Sequence, residues 1–456
     1  MCYTKDTIAA IATPYAQGGI GIIRISGVEA KNIAKKIFKP AKANSNILNL
    51  AGYSGLFGHV IHNTKVIDEA ILLNFNAPKS YTGEDVVEIS VHSGLFILKE
   101  VLRAVLNSGA RLAQPGEFTK RAFLNQKITL TEAEAVVELI SANNEQAHHA
   151  ALELKQGKLF KFSQTIANEL LSVISHVAAF IDYPEEEVAD VDLKQLDEQI
   201  SSVYSKLYEL LKTYDFGKII KEGISTVIVG KPNVGKSTIM NLLSGFNRSI
   251  VTSVPGTTRD IIEESIVIDG IMLKIADTAG LRKTEDLVEN IGVQLAEKQL
   301  EQSDLVLAVF DASKPLEKYD YELFDKITNK NVIGIINKTD LPCNIDSEVI
   351  KSKIDLVVEG SAQSSELFSK LAAAIKNKTG INLNCNCILA NERQRDCIKR
   401  AAEQLEEAKT LIAQKQTLDI ISVCLEDALH FLFELDGKDV SDTVIDNVFA
   451  KFCVGK

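Results

Sequence analysis

Tryptophan is absent from the 456 residues, and methionine and proline are scarce, with three and nine copies; with 46% hydrophobic and 24% charged residues, the composition is that of a soluble globular protein. No uninterrupted apolar run approaches the ~20 residues of a membrane span, so no membrane association is expected. The opening MCYTKDTIAAIATPY lacks the basic-then-apolar pattern of a secretory leader. Seven unevenly spaced cysteines offer no disulfide framework, and together these absences point to a reducing cytoplasm. Basic excess is missing too. A net charge of −11 excludes a general nucleic-acid binder, so any RNA contact must be local. Cys385, Cys387 and Cys397 form a C-x-C without a second pair or a nearby His, and are read as unpaired thiols near a domain boundary, not as a metal site. The chain ends KFCVGK. Cys453 stands where a prenylation box would place it, but the final Lys456 is not a residue that lipid transferases usually read.

This length suggests roughly two to four domains. Up to Phe123 the chain reads as mixed α and β, with short β-branched runs in GGIGIIRIS and EDVVEISVHSG. From about Leu130 the texture changes. TEAEAVVELISANNEQAHHAALELKQGKLFKF spaces its apolar residues three and four apart with no Gly or Pro before Gly157, which predicts one long helix or two. IDYPEEEVADVDLKQLDEQI reads as a solvated acidic loop before another helix. Gly223 to about Thr379 alternates strand and helix as a parallel α/β sheet does, and helix resumes after it. The boundaries expected are 1–123, 124–222, 223–380 and 381–456. Helical segments flanking an α/β unit suggest one helical domain interrupted by an inserted nucleotide domain; three domains in series is the alternative.

STVIVGKPNVGKSTIMNLL sets an apolar strand before Gly230-Lys231-Pro232-Asn233-Val234-Gly235-Lys236-Ser237 and a helix after it, which is a P-loop in its required context. Its backbone N–H groups close round phosphates, Lys236 reaches the β and γ oxygens, and the Ser237 hydroxyl, with Thr238 beside it, ligates Mg²⁺. IMLKIADTAG then runs a strand into Asp277-Thr278-Ala279-Gly280, where the carboxylate holds Mg²⁺ through water and Gly280 approaches the γ-phosphate. VIGIINKTD ends a strand at Asn337-Lys338-Thr339-Asp340, and Asp340 can accept both guanine N–H donors, which adenine lacks. VVEGSAQ supplies Ser361 and Ala362, whose loop can offer a backbone N–H to the guanine oxygen. In this order, each at a strand end, these segments define a GTPase domain. SIVTSVPGTTRD stands where a switch loop would, with Thr258 completing the Mg²⁺ shell. Leu281 occupies the position of the water-orienting Gln of many small GTPases. Glu285, Asp286 and Glu289 are the alternative candidates, no arginine finger is identifiable beyond Arg259 or Arg282, and a cation held with the help of the Asn233 side chain can do the same electrostatic work.

Taken together, DTIAAIATPYAQGGIGIIRISG, SYTGEDVVEISVHSG, QPGEFTKRAFLNQKITLTEAEAVVELI, PGTTRD, DTAGLR and the terminal Cys-Val-Gly-Lys resemble the MnmE (TrmE) family of tRNA modification GTPases over essentially the whole chain. The ending departs from that family's usual Cys-Ile-Gly-Lys by one methylene, a small change. The resemblance implies an α/β and α multidomain protein: an N-terminal α/β domain that dimerises and binds a tetrahydrofolate, a discontinuous helical domain, and an inserted P-loop GTPase domain. It further implies potassium-dependent pairing of two GTPase domains, with Asn233, Thr252, Val254 (through its carbonyl) and Thr257 around K⁺, and Glu289 orienting the water. Arg24, Glu88, Lys127 and Lys456 would hold a 5-formyl- or methylene-tetrahydrofolate. With an FAD-dependent partner of the MnmG (GidA) family, in a heterotetramer, such proteins add an aminomethyl-type group to carbon 5 of the wobble uridine of certain tRNAs. From the residues alone, Arg24 and Glu88 read first as an ordinary ion pair on strand edges, and Cys453 is either a nucleophile or proton donor near the one-carbon unit or a small side chain that seats the tail. The competing function is a regulatory GTPase in ribosome assembly, disfavoured because the chain is acidic and carries no basic RNA-binding appendage.

Overall fold

A computed structural model of the chain describes residues 6–42, 45–182, 192–246, 263–268, 270–276, 299–379 and 389–455. It divides into two compact units, residues 1–137, 154–204 and 400–456 in the first and 138–153 and 205–399 in the second, with the divisions falling inside helices.

The first unit opens with a seven-stranded sheet. Its strands are β1 (Ile8–Ile11), β2 (Gly18–Ser26), β3 (Phe38–Pro40), β4 (Ser54–His62), β5 (Lys65–Phe75), β6 (Val86–Ser93) and β7 (Arg111–Leu112), in the order β3-β4-β5-β6-β2-β1-β7. Alternation of side chains along each strand sends Ile23 and Ile25 of β2, Leu72 of β5 and Ile89 of β6 to one face. There α1 (Ala30–Ile37) and α2 (Leu95–Asn107) cover them with Ile33, Ile37, Leu98 and Val101, residues three to four apart on each helix. The other face carries Phe57 and Ile71, cross-strand partners that are 53% and 50% exposed. Below β1 it is closed by Phe118 of α3 (Glu117–Leu124) against Ile8 and Ala10.

The stretch expected as one helix or two forms α4 (Leu130–Ser141), α5 (Glu145–Lys155) and the start of α6 (Lys158–Asp182). No Gly or Pro makes the first break. Asn144 does, because its side-chain oxygen takes the Ala147 N–H at 2.8 Å and caps a new helix. The long α7 (Leu193–Glu222) leads into the second unit.

The second unit is built on a six-stranded sheet of β8 (Ile224–Val229), β9 (Glu263–Ile268), β10 (Ile271–Ala276), β11 (Leu305–Asp311), β12 (Val332–Asn337) and β13 (Val357–Glu359), ordered β13-β12-β11-β8-β10-β9. All neighbours are parallel except the β9–β10 hairpin. β11 reads LVLAVFD and is buried throughout, as a central parallel strand covered on both sides must be. One face packs Ile239 and Leu243 of α8 (Lys236–Phe246), and the other packs Leu323, Phe324 and Ile327 of α9 (Lys318–Ile327) and Ile350 of α10 (Ser347–Lys353). The fold completes with α11 (Ser365–Thr379), whose Leu367 and Leu371 join the α8 side, and with α12 (Glu392–Ala413).

The first unit resumes at Arg400, within α12, and continues beyond the turn at Lys415 in α13 (Leu418–Asp436) and α14 (Asp442–Phe449). α6 packs on α13, and its Ser163 and Gln164 donate to the two oxygens of buried Asp436 at 2.8 and 2.7 Å. Residues Lys158–Ile181 of α6 have the length and mean hydropathy, 1.2, of a membrane span by composition alone. Polar residues interrupt every apolar run within it, so no span stands out in the sequence; with Ser163 and Gln164 bonded to buried Asp436, the helix has the character of one packed within a protein.

Candidate functional site

At the carboxyl end of β8 the chain turns through the P-loop into α8. Gly235 has φ +103°, and a Cβ there would stand 2.2 Å from the Asn337 amide nitrogen, so the loop closes only because no side chain is present. Lys236 donates from Nζ to the Gly230 and Lys231 carbonyls at 2.6 and 2.8 Å, which holds its charge over the ring of loop backbone. Ser237 and Thr238 lie exposed in the first turn of α8, where uncapped N–H groups and the helix dipole favour an anion. Val234 is buried beneath the loop, and Asn233 sits above it with φ +65°.

The base-reading segments meet this cradle through side chains. Asn337 is buried at the end of β12; its Nδ2 donates to the Val234 carbonyl and its Oδ1 accepts the Ala362 N–H, both at 2.9 Å. One amide therefore clamps the P-loop to the loop after β13. The Ala362 N–H is thereby committed to the protein. Lys338, at φ +63°, donates from Nζ to the Asn233 carbonyl at 2.7 Å and to Asp311 Oδ2 at 2.6 Å. Burial would raise the Asp311 carboxyl, but hydrogen bonds from Lys338 and Ser313 and the ammonium charge outweigh it and leave the pKa lowered. Asp340 is exposed on the turn after β12, and Ser361 lies half-buried beside Ala362.

Thr252, Val254, Thr257, Thr258, Asp277, Thr278, Ala279, Gly280 and Glu289 lie outside the described residues, as do Arg259, Arg282, Glu285 and Asp286.

A second constellation forms in the first unit. Arg24 and Glu88 face each other across β2 and β6, with Arg24 Nε donating to Glu88 Oε1 at 2.7 Å. The guanidinium lies against the rings of Tyr81 and Phe118, 5.4 and 5.6 Å from their centroids, and its Nη1 donates to the Gly455 carbonyl at 3.2 Å. The chain's last residues thus reach a strand that begins the protein. They are steered there by α14 and the turn after it: Phe449 and Phe452 pack with Leu130 and Ala133, and the Gly116 N–H donates to the Cys453 carbonyl at 3.4 Å. Gly455 has φ +99°, and a Cβ on it would be 2.2 Å from the Ile11 carbonyl oxygen, so the tail lies directly on β1. The Cys453 side chain is exposed. Lys127 donates to the Pro78 carbonyl at 3.0 Å, on the loop that carries Tyr81, and Lys456 lies outside the described residues.

Tyr81 and Phe118 were not singled out from sequence, although both stand within motifs that carried the family resemblance. Burial raises the Tyr81 phenol above its ordinary value despite its bond to Thr119. Also missed was Lys231 of the P-loop, which reaches Asp320 at 2.6 Å and Glu317 at 3.1 Å on α9. Cys397 is buried in α12, Cys385 and Cys387 lie outside the described residues, and no metal-binding cluster of His, Cys, Asp and Glu occurs among the described residues.

A mixed sheet with a P-loop after β8 and an Asn-Lys-Thr-Asp turn after β12, one strand removed from it across β11, defines a P-loop GTPase. The chain matches the family models "MnmE helical domain" over residues 130–453 and "GTP-binding protein TrmE N-terminus" over residues 7–127. It is 39% identical to the tRNA modification GTPase MnmE of Clostridioides difficile over the full length of both chains, and 42% identical to that of Caldicellulosiruptor saccharolyticus over 99% of each. This chain belongs to the MnmE family of tRNA modification GTPases. Among solved structures, the G domain of the T. maritima FeoB iron transporter is 25% identical with a TM-score of 0.26, covering 34% of this chain and 97% of that one, a likeness too partial to argue from.

Proposed function

We propose that the protein hydrolyses GTP to drive a conformational cycle during modification of the wobble uridine of certain tRNAs. In this reading it works with an FAD-dependent partner of the MnmG family and a tetrahydrofolate one-carbon donor. The observation that carries it is the bond from Arg24, of the Arg24–Glu88 pair beside two aromatic rings, to the Gly455 carbonyl, since a GTPase acting only as a timed switch has no use for docking a tail that bears a thiol two residues away.

The residues fit a folate. Among the described residues Glu88 commits only Oε1, to Arg24, which leaves Oε2 to accept pterin N–H donors. Tyr81 and Phe118 supply apolar area, and Lys127 and Lys456 supply charge for the glutamate. When bound, the folate supplies the one-carbon unit. Cys453, whose carbonyl takes the Gly116 N–H, would be the residue to serve beside it as nucleophile or proton donor.

At the other site the P-loop amides and Lys236 take the phosphates, Ser237 and Thr258 hold Mg²⁺, and Asp340 reads guanine. Asn233, Thr252, Val254 and Thr257 hold K⁺ where two GTPase domains pair, and Glu289 positions the water. The open sheet face bearing Phe57 and Ile71 suits a second copy of the chain.

The test is the wobble-uridine nucleoside profile, by mass spectrometry, of tRNA from cells whose only copy is Cys453→Ser. Loss of the modified nucleoside with GTP hydrolysis intact is expected. An unchanged profile would reduce Cys453 to packing and remove the main support for a modification site at this tail.

A further inference from the structure

The end of α1 and β3 carry Lys35, Lys36 and Lys39, with Lys42 just beyond, all exposed. Some lysines elsewhere in this acidic chain find a carboxylate among the described residues, as Lys31 does with Asp85, Lys120 with Asp446, Lys221 with Glu138 and Lys370 with Glu366, and others such as Lys65, Lys155 and Lys218 do not, so what sets this stretch apart is the clustering. Lys35, Lys39 and Lys42 have no such partner among the described residues. Lys36 is tied only to a carbonyl, that of Ser108, at 3.0 Å. A position in the last turn of a helix accounts for Lys35 and Lys36 through the dipole, but not for Lys39 and Lys42.

Lys35, Lys36 and Lys39 border an open cleft of about 420 Å³ whose lining includes Ser45 and Asn46 over an apolar floor of Ile37, Phe38, Ile47 and Ile61, with no carboxylate among the described residues. Asn46 uses its side-chain oxygen to accept the Leu48 N–H, which leaves its amide N–H donors for an acceptor in the cleft. Unneutralised cations, amide donors and an absence of acidic neighbours together make a place for anionic oxygen. The lysines extend along the chain over more residues than one phosphate needs, which suits a row of phosphates.

We propose that this cleft binds the phosphodiester backbone of RNA, and that it is the local contact through which a chain of net charge −11 holds its tRNA. The identity of the RNA as tRNA rests on the function proposed above. Binding here is sequence-independent and sets the register of the tRNA, leaving base recognition to other groups.

The experiment measures binding of an unmodified tRNA transcript to the full chain at several salt concentrations. Wild type is compared with Lys35→Glu/Lys39→Glu and with the charge-matched control Lys351→Glu/Lys370→Glu. Each lysine–phosphate contact contributes a slope of about 0.7 in log affinity against log salt, or about 5-fold at about 0.1 M relative to 1 M. Loss of two should therefore weaken binding about 25-fold at about 0.1 M and flatten the slope by about 1.4, while the control moves little and basal GTP hydrolysis is unchanged in both. Equal effects of the two variants would reduce the result to bulk charge and overturn the proposal, as would tRNA binding like wild type. So would a variant that loses affinity only for vesicles of acidic phospholipid. If instead cells lacking the protein keep the modified nucleoside while the patch variant still loses tRNA affinity, the proposed function fails and the binding site stands.

Discussion

Asn337→Ala should loosen two loops at once, because a single buried amide joins them. Asn337 is 2% exposed, and the groups it bonds, the Val234 carbonyl and the Ala362 N–H, belong to residues that are 3% and 7% exposed. Truncation leaves both without their partner. A buried polar group so stranded costs about 1–3 kcal/mol, and water entering the space of the lost side chain recovers part of that, so about 2–4 kcal/mol is expected for the pair. Global unfolding is a poor assay, since a chain of two units need not melt in one step. Native-state hydrogen exchange resolved by mass spectrometry reads the relevant segments directly. Amides of residues 230–240 and 360–367 should exchange roughly 30- to 1000-fold faster, with 1.4 kcal/mol per tenfold change. Asn337→Asp sharpens the test: its carboxylate can still accept from Ala362 but sets a second oxygen against the Val234 carbonyl, so the P-loop should loosen and the 360–367 loop should not. If exchange in both segments matched wild type in Asn337→Ala, the amide would not be the clamp.

Gly455→Ala should release the tail from β1, since the new Cβ meets backbone atoms of Ile11 and Ala12 that cannot move aside, and the residue would be strained at φ +99°. Faster carboxypeptidase digestion with thermal stability nearly unchanged is the expected outcome, and on the proposed function calorimetry should show no folate binding by this variant; a tail as protected as in wild type counts against its docking. Asp340→Asn should relax the choice of base, so that GTP loses its advantage over ATP in competition binding, and an undiminished guanine preference would contradict the assignment. Asp311 has a folded pKa below 3.8, so its contribution to stability is complete above that value and is lost as pH falls through the folded pKa. In Lys338→Met the ammonium is gone and only the Ser313 hydrogen bonds still oppose burial, so NMR of the carboxyl carbon should show Asp311 titrating at higher pH than in wild type; an unchanged titration would assign the depression to Ser313.

Much of the nucleotide site was legible in the sequence because its parts are local. A buried strand followed at once by Gly-x-x-x-x-Gly-Lys-Ser can form its loop from adjacent residues, and Asn337 to Asp340 fall on one turn at the end of a strand. The helix break at Asn144 was not legible, because a polar residue inside a helical pattern looks the same whether its oxygen faces water or caps a new turn.

The phosphate cradle, the alternation of α/β and helical segments and the family can be read from residue order alone. Which distant groups complete each site depends on packing. Lys338 finds Asp311 because β11 and β12 are neighbours in register, ending together at Asp311 and Asn337. Arg24 and Gly455 are 431 residues apart, and their bond exists because α14 and the aromatic packing of Phe449 and Phe452 turn the chain end toward Gly116 and β1. Periodicity carries no information over such a separation. Strand order, register and the direction in which a terminal helix exits are properties of the packed whole, fixed by the burial of residues from every part of the unit at once.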